Sequence, residues 1–346
     1  MSIRQWSAGV VRSPEKAKTG TTKRMKHLPV VTHQPTDYNH PPDSNDNIVS
    51  IRNETKECLR SRDSKNMTGK GMNQREGRSS TRSVYHYEDR YRFSRVITEN
   101  DLQFDSHFES GNLMRAWRIT KDDDSDQNEN FQEYDLELHH DLYSVGHAQW
   151  FYFSCTNTIE GREVKFNLTN FTKKDSLFNH GMKPLMLSKK MSSLGVGWKR
   201  EGDQICYYAN GKKKGKKEFY TLTFKIKFEY SGDCCFFAFA YPYTFTDLQN
   251  RLLKLQFDHE RKTVFRRHIL CKTLSGNNCD ILTITEPSDD WQCMQKRLGV
   301  VITARVHPGE SSASWICDGI IKFLTGTRHE ARILRNLFVF KIVPML

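Results

Sequence analysis

What this sequence lacks narrows it first. Its longest apolar run, Cys234 to Tyr241, is far short of the roughly 18 residues that cross a bilayer, so no membrane helix is expected. The opening residues carry Arg and Lys but no apolar stretch of the kind a secretory signal uses, which argues against an exported product. The nine cysteines (58, 155, 206, 234, 235, 271, 279, 293 and 317) are odd in number, form no CxxC pair and sit mostly in apolar, strand-like runs. A disulfide framework is thereby disfavoured, and reduced thiols in an intracellular, cytoplasmic chain are expected.

Periodicity is also missing from Met1 to about Arg90, where Ser, Thr, Asn, Lys, Arg, Gly and Pro dominate. Such a segment cannot bury enough apolar surface to offset its ordering entropy, and residues 1–92 are read as a disordered basic tail. Up to Arg95 the chain holds 19 Lys and Arg against 10 Asp and Glu, so nine of the formal +12 charges lie in roughly its first quarter. Clusters such as Lys23-Arg24-Met25-Lys26 attract acidic surfaces, although a solvated, non-specific tail is the plainer reading. A nucleic-acid contact is disfavoured, because the aromatic residues there are few and show no stacking pattern.

Residues 93–243 show short apolar-polar alternations separated by turns. Val164, Phe166 and Leu168 point one way, and Lys165, Asn167 and Thr169 the other. Further on, Ile205 to Tyr208 and Phe219 to Tyr230 flank Ala209-Asn210-Gly211 and a lysine-rich run over 212–217. Asn-Gly supplies the positive φ of a tight turn, which predicts a β-hairpin with a basic loop. That loop is either a docking site for an acidic partner or a solvated tip. Strand spacing without helical patterns indicates an antiparallel β-sandwich.

The pattern changes at residue 244. Thr244 or Thr246 can cap a helix running through Leu252 and Leu255. Strands are expected near 265–273, 280–285, 300–306 and 338–343, with a helix from Ser312 to Leu324 and a shorter one bearing Arg328, Arg332 and Arg335. Residues 244–346 thus open an α/β domain. Within it, Leu298 to Val306 is nearly all apolar and β-branched, the composition of a strand covered on both faces.

At the end of that strand stands His307-Pro308-Gly309-Glu310-Ser311. Ligand sites in open α/β sheets gather at the C-terminal edges of strands. Pro308-Gly309 turns the chain so that Glu310 returns beside His307, ahead of a helix that Ser311 or Ser312 can cap. An imidazole nitrogen and a carboxylate oxygen both suit Zn²⁺, and three protein ligands plus one water make a hydrolytic site. Spacing alone leaves a second reading, in which Glu310 stabilises a helix N-terminus and His307 is an ordinary imidazole.

Thr303 to Ser311, with Ser314-Trp315 and Phe338 to Leu346, resembles the zinc-binding region of the cytosolic carboxypeptidases and is most similar to their types 2 and 3. The likeness continues in order through Phe108 to Leu113, Gln149 to Phe153, Asn170 to Lys173, Gly202 to Ile205 and Tyr241 to Thr246. It implies a zinc metallocarboxypeptidase with a β-sandwich ahead of its catalytic domain, removing glutamates from the C-terminal tails and branched chains of polyglutamylated tubulin and other acidic proteins. It implies Zn²⁺ as cofactor, His307 and Glu310 as the first two ligands, and a cytoplasmic setting at microtubules, centrioles or cilia. The family's third ligand, a His, and its catalytic Glu match no position up to Leu346. Residues 244–346 are accordingly read as an incomplete N-terminal part of the catalytic domain, with no catalytic residue assigned and no activity expected from this chain alone. The alternative is a truncated isoform or a non-catalytic module that binds tubulin or microtubules.

Overall fold

In the computed structural model, which describes residues 79–89, 99–121, 131–144, 146–215 and 217–346, the alternating segments become strands of three sheets. Before residue 244 these are β1 (Ser79–His86), β2 (Gln103–Asp105), β3 (Leu113–Lys121), β4 (Phe131–Leu138), β5 (Tyr152–Thr156) and β6 (Glu163–Phe171), then β7 (Leu185–Ser188), β8 (Lys199–Arg200), β9 (Asp203–Lys214), β10 (Lys217–Lys227) and β11 (Cys235–Ala238). A short helix, α1 (Lys189–Ser193), follows β7. The first sheet has the order β1-β3-β4-β6-β10-β9, and the second β2-β5-β11-β7-β8.

Leu222, Phe224 and Ile226 alternate along β10 and are all buried, since a period of two sends them to one face. That face meets the second sheet. Phe166 of β6 lies 5.3 Å, ring to ring, from Phe237 of β11 and 5.9 Å from Phe153 of β5. All three rings are wholly buried, which contributes about 1.5–3 kcal/mol apiece relative to leaving them in water.

Three features here differ from the sequence expectation. Ser79–His86, placed by composition in the tail, is the edge strand β1, paired antiparallel with β3. An edge strand needs few apolar residues: Val84 is buried, Arg82 pairs with Asp101 at 2.5 Å, and the Tyr85 hydroxyl meets Ser106 Oγ at 3.1 Å. The rest of the tail reading, residues 1–78 and 90–92, lies outside the described residues. Next, β4 and β6 pair in parallel, where an antiparallel arrangement is expected. Between them the chain crosses to the second sheet as β5, and so returns in the same direction. Last, Asn210-Gly211 is not the hairpin turn. Gly211 (φ 76°) sits in a bulge inside β9, anchored by Asn210 Nδ2 to Thr169 O at 2.8 Å and to Thr221 Oγ1 at 3.0 Å, while the turn falls at Gly215 (φ 62°).

After residue 244 come α2 (Phe245–Phe257), β12 (Phe265–Lys272), β13 (Asn278–Ile284), α3 (Trp291–Lys296), β14 (Leu298–Thr303), α4 (Ser311–Leu324), α5 (His329–Leu337) and β15 (Phe338–Val343). Thr244, not Thr246, caps α2 through a capping box: its Oγ1 accepts from Asp247 N at 3.0 Å and Asp247 accepts from Thr244 N at 2.8 Å. The third sheet has the order β12-β13-β15-β14, with only β14 and β15 parallel. Asp280 is buried on β13 at little cost because Arg267 at 2.8 Å and Gln249 of α2 at 2.9 Å satisfy its carboxylate.

The cover expected on both faces of Leu298 to Val306 is not found. β14 is an edge strand that ends at Thr303; Val300 and Ile302 pack into the core, while Leu298 and Val301 stay exposed. Among the described strands only β15 lies beside it. No helix of the described residues is long and apolar enough to cross a membrane.

Candidate metal site

Beyond β14 the ladder to β15 runs on for one more residue, with Ala304 N donating to Val343 O and Leu346 N donating to Ala304 O, both at 3.0 Å. Arg305 then adopts φ 60°, a left-handed conformation that a long side chain enters only when its surroundings hold it there. Its guanidinium supplies the hold: Nε donates to Pro308 O at 2.9 Å, and Nη1 donates to Tyr243 O and Ser314 Oγ at 3.0 Å each. Burial pulls the Arg305 pKa below its ordinary value, opposed by Tyr243. One half-buried cation thus ties the strand end, the following turn, the start of α4 and the entry to α2.

His307 to Glu310 form a turn closed by Glu310 N donating to His307 O at 3.1 Å. Both side chains are exposed, whereas Gly309 between them is buried against the backbone and Cβ of Trp150. Glu310, not a serine, stands at the N-cap position of α4, and its side chain makes no cap hydrogen bond. The expected cap from Ser311 or Ser312 is therefore absent: Ser311 is the first helical residue, wholly buried, and its Oγ has no partner among the described residues. The turn leaves the Glu310 carboxylate near a helix N-terminus but uncommitted to it, three residues from an exposed imidazole.

The first two sheets brace this turn. Trp150 Nε1 donates to Ser110 O at 2.8 Å, and Asn112 works as a false strand, with Nδ2 donating to Trp150 O at 2.8 Å and Oδ1 accepting from Tyr152 N at 2.9 Å. Gly111 is obligatory there, since a Cβ would sit 2.3 Å from Ser106 O. Glu109 accepts from Thr246 N at 3.0 Å in the first turn of α2. Trp315 of α4 donates to Tyr241 O at 3.2 Å and meets the Tyr243 ring edge-on at 5.0 Å. Sequence reasoning assigned no role to Glu109, Asn112, Trp150 or Arg305. The available signal was that each lies in a segment carrying the family resemblance.

An imidazole and a carboxylate, both open to solvent on one turn, suit Zn²⁺ in donor chemistry. A closed set is not formed: among the described residues no group of three His, Cys, Asp or Glu gathers that can hold a metal.

Comparison with known proteins bears on the family. Residues 104–240 match the cytosolic carboxypeptidase N-terminal domain. Cytosolic carboxypeptidase 2 of Xenopus tropicalis is 42% identical over 253 residues, covering 73% of this chain and 25% of that protein. Cytosolic carboxypeptidase 3 of Bos taurus is 41% identical over 249 residues, covering 72% of this chain and 24% of that one. The chain spans about a quarter of the length of these relatives. A solved structure from Shewanella denitrificans, provisionally named a carboxypeptidase A, superposes with a TM-score of 0.51 at 19% identity, over 70% of this chain and 54% of the other, which shows a shared fold. By these matches the chain is a relative of the cytosolic carboxypeptidases, types 2 and 3 among them, and its residues 104–240 are a cytosolic carboxypeptidase N-terminal domain.

Proposed function

We propose that this chain carries the β-sandwich of a zinc metallocarboxypeptidase and the first half of its metal site, with His307 and Glu310 as two ligands. The observation that supports this is the turn itself: two exposed donors of the right chemistry, at the end of a sheet strand, on a loop held by the half-buried Arg305. Zn²⁺, when bound, supplies Lewis acidity and a water of lowered pKa. The chain's own contribution is positional. Arg305 fixes the turn, and Gly309 seats it against Trp150 so that both side chains face outward. The substrate class is the glutamate-rich tail of tubulin or another acidic protein, in the cytoplasm and at microtubules.

Because a hydrolytic zinc needs three protein ligands and the described residues gather two, the 346 residues are expected to bind Zn²⁺ weakly and to release no glutamate. Calorimetric titration with Zn²⁺ checks the first point, with binding lost in His307→Ala. Incubation with a polyglutamylated peptide checks the second, and glutamate release above background sinks the half-site reading.

A second reading, a non-catalytic module on acidic tails, is favoured by the exposed Lys212, Lys213 and Lys217 along the β9–β10 hairpin. Co-sedimentation with microtubules that weakens as salt rises supports it, and lack of binding at low salt rejects it.

A further inference from the structure

The proposed site uses none of the cysteines, yet Cys271 of β12 and Cys279 of β13 are directly opposed in antiparallel register. Opposed residues of such a pair share a face, with Cα atoms about 4.5–5.5 Å apart, inside the span that a disulfide bridges. The turn between them is closed. Thr273 N donates to Asn277 O and Gly276 N to Thr273 O, both at 2.9 Å, with Gly276 at φ 84°. Lys272 Nζ also reaches Asn278 Oδ1 at 3.2 Å across the strands. The two cysteines are thus opposed across a closed hairpin, in a register whose Cα separation a disulfide can span.

Their surroundings differ in a useful way. Cys271 is exposed at the sheet edge, whereas Cys279 is buried and directs its thiol at Met345 O, 3.5 Å away. Burial, and next the neighbouring Cys271, push the Cys279 thiol above its ordinary range. Cys155 and Cys235 are likewise opposed across β5 and β11, but both lie buried in the closed core where no oxidant reaches. Of these two opposed pairs, the one at the edge of the third sheet combines register with access.

We propose that Cys271 and Cys279 form an oxidation-sensitive dithiol, with Cys271 the thiol that meets the oxidant and Cys279 the one that resolves it. The oxidant class is a hydroperoxide. The Cys271 thiol gives up its proton and its sulfur attacks one oxygen of hydrogen peroxide; the O–O bond breaks, the departing hydroxide takes up a proton in place of the one released, and a sulfenic acid and water result. The Cys279 sulfur then attacks the Cys271 sulfur, the S–O bond breaks, and the departing hydroxide takes the Cys279 proton to become the second water. Two electrons pass from the thiols to the peroxide, and one S–S bond replaces two S–H bonds. The S–H that Cys279 directs at Met345 disappears, one residue from Leu346, whose N–H holds Ala304 beside Arg305.

The test treats the 346-residue chain with a small excess of hydrogen peroxide, blocks remaining thiols with N-ethylmaleimide, digests without reduction and maps the peptides by mass spectrometry. A peptide pair joined through Cys271 and Cys279, two hydrogens lighter than its parts and separated again by a thiol reductant, is the expected result. Cys155 and Cys235 should stay reduced until the chain is unfolded. Cys271→Ser, at an exposed position that leaves the core intact, should abolish the joined pair and leave Cys279 reduced. The proposal is overturned by Cys271 recovered as a sulfinic acid, by its bridging to Cys293 instead, or by an unmodified Cys271 when the exposed Cys293 is oxidised.

Discussion

β6 and β14 are both short and rich in apolar residues, and they end in opposite surroundings. In β6 Val164, Phe166 and Leu168 are wholly buried, because strands flank it on both edges and the second sheet lies across its face. In β14 Leu298 and Val301 are 66% and 72% exposed, because β15 alone adjoins it among the described strands. The composition of a strand states what it can bury, and its neighbours decide what it does bury. The candidate metal turn follows the second kind of strand, and what holds it is the Arg305 guanidinium on Pro308, Tyr243 and Ser314 together with the packing of Gly309 on Trp150.

The contrast breaks most visibly at Phe166. Phe166→Ala leaves a cavity between rings drawn from both sheets and should cost about 3–5 kcal/mol in denaturant unfolding. A loss below about 1 kcal/mol would mean that the two sheets do not share one core. At the junction of the two regions, Arg305→Ala removes three hydrogen bonds from a charged donor and should cost about 2–3 kcal/mol. Amide exchange at Glu310 should rise with it, since the turn loses its hold on Pro308. Unchanged exchange there would show that Gly309 against Trp150 suffices.

A gentler probe is pH. His139 lies edge-on to Tyr87 at 4.9 Å, and burial lowers its pKa from the ordinary 6.5, helped by His86, His140 and Arg115 and opposed by Glu88. The unfolded chain therefore takes up the proton first as pH falls. This contribution is fully favourable above about pH 6.5 and declines below it, a slope that His139→Gln should flatten in unfolding curves between about pH 7.5 and 5.5. The smallest effect is expected at β14. Val301→Lys should change stability by less than about 0.5 kcal/mol, because the side chain already meets water. A clear destabilisation would reveal a covered face and erase the difference from β6.

Much of this was legible in the chain. Alternation of apolar residues in β6 and β10 and a threonine cap on α2 depend on residues a few positions apart, and the structure has both, with Thr244 chosen over Thr246. His307 and Glu310 were singled out from the strand edge, the Pro-Gly turn and the family resemblance, and their role as ligands is a proposal. Harder to read were features whose cause lies far along the chain. β1 is polar and earns its place by pairing with β3 some 35 residues on, as the Ser83 and Trp117 partners show. Asn210-Gly211 has a turn composition but meets Thr169 and Thr221, which convert it to a bulge.

From the amino-acid order alone came the periodicities, the helix cap, the basic hairpin and the imidazole-carboxylate pair, since each rests on geometry within one turn or one strand. Only the tertiary structure decided that β14 is an edge, that Glu310 rather than a serine takes the cap position, and that Arg305 can hold a left-handed φ. Its guanidinium is satisfied by Tyr243, more than sixty positions earlier, and no local pattern encodes a partner at that distance.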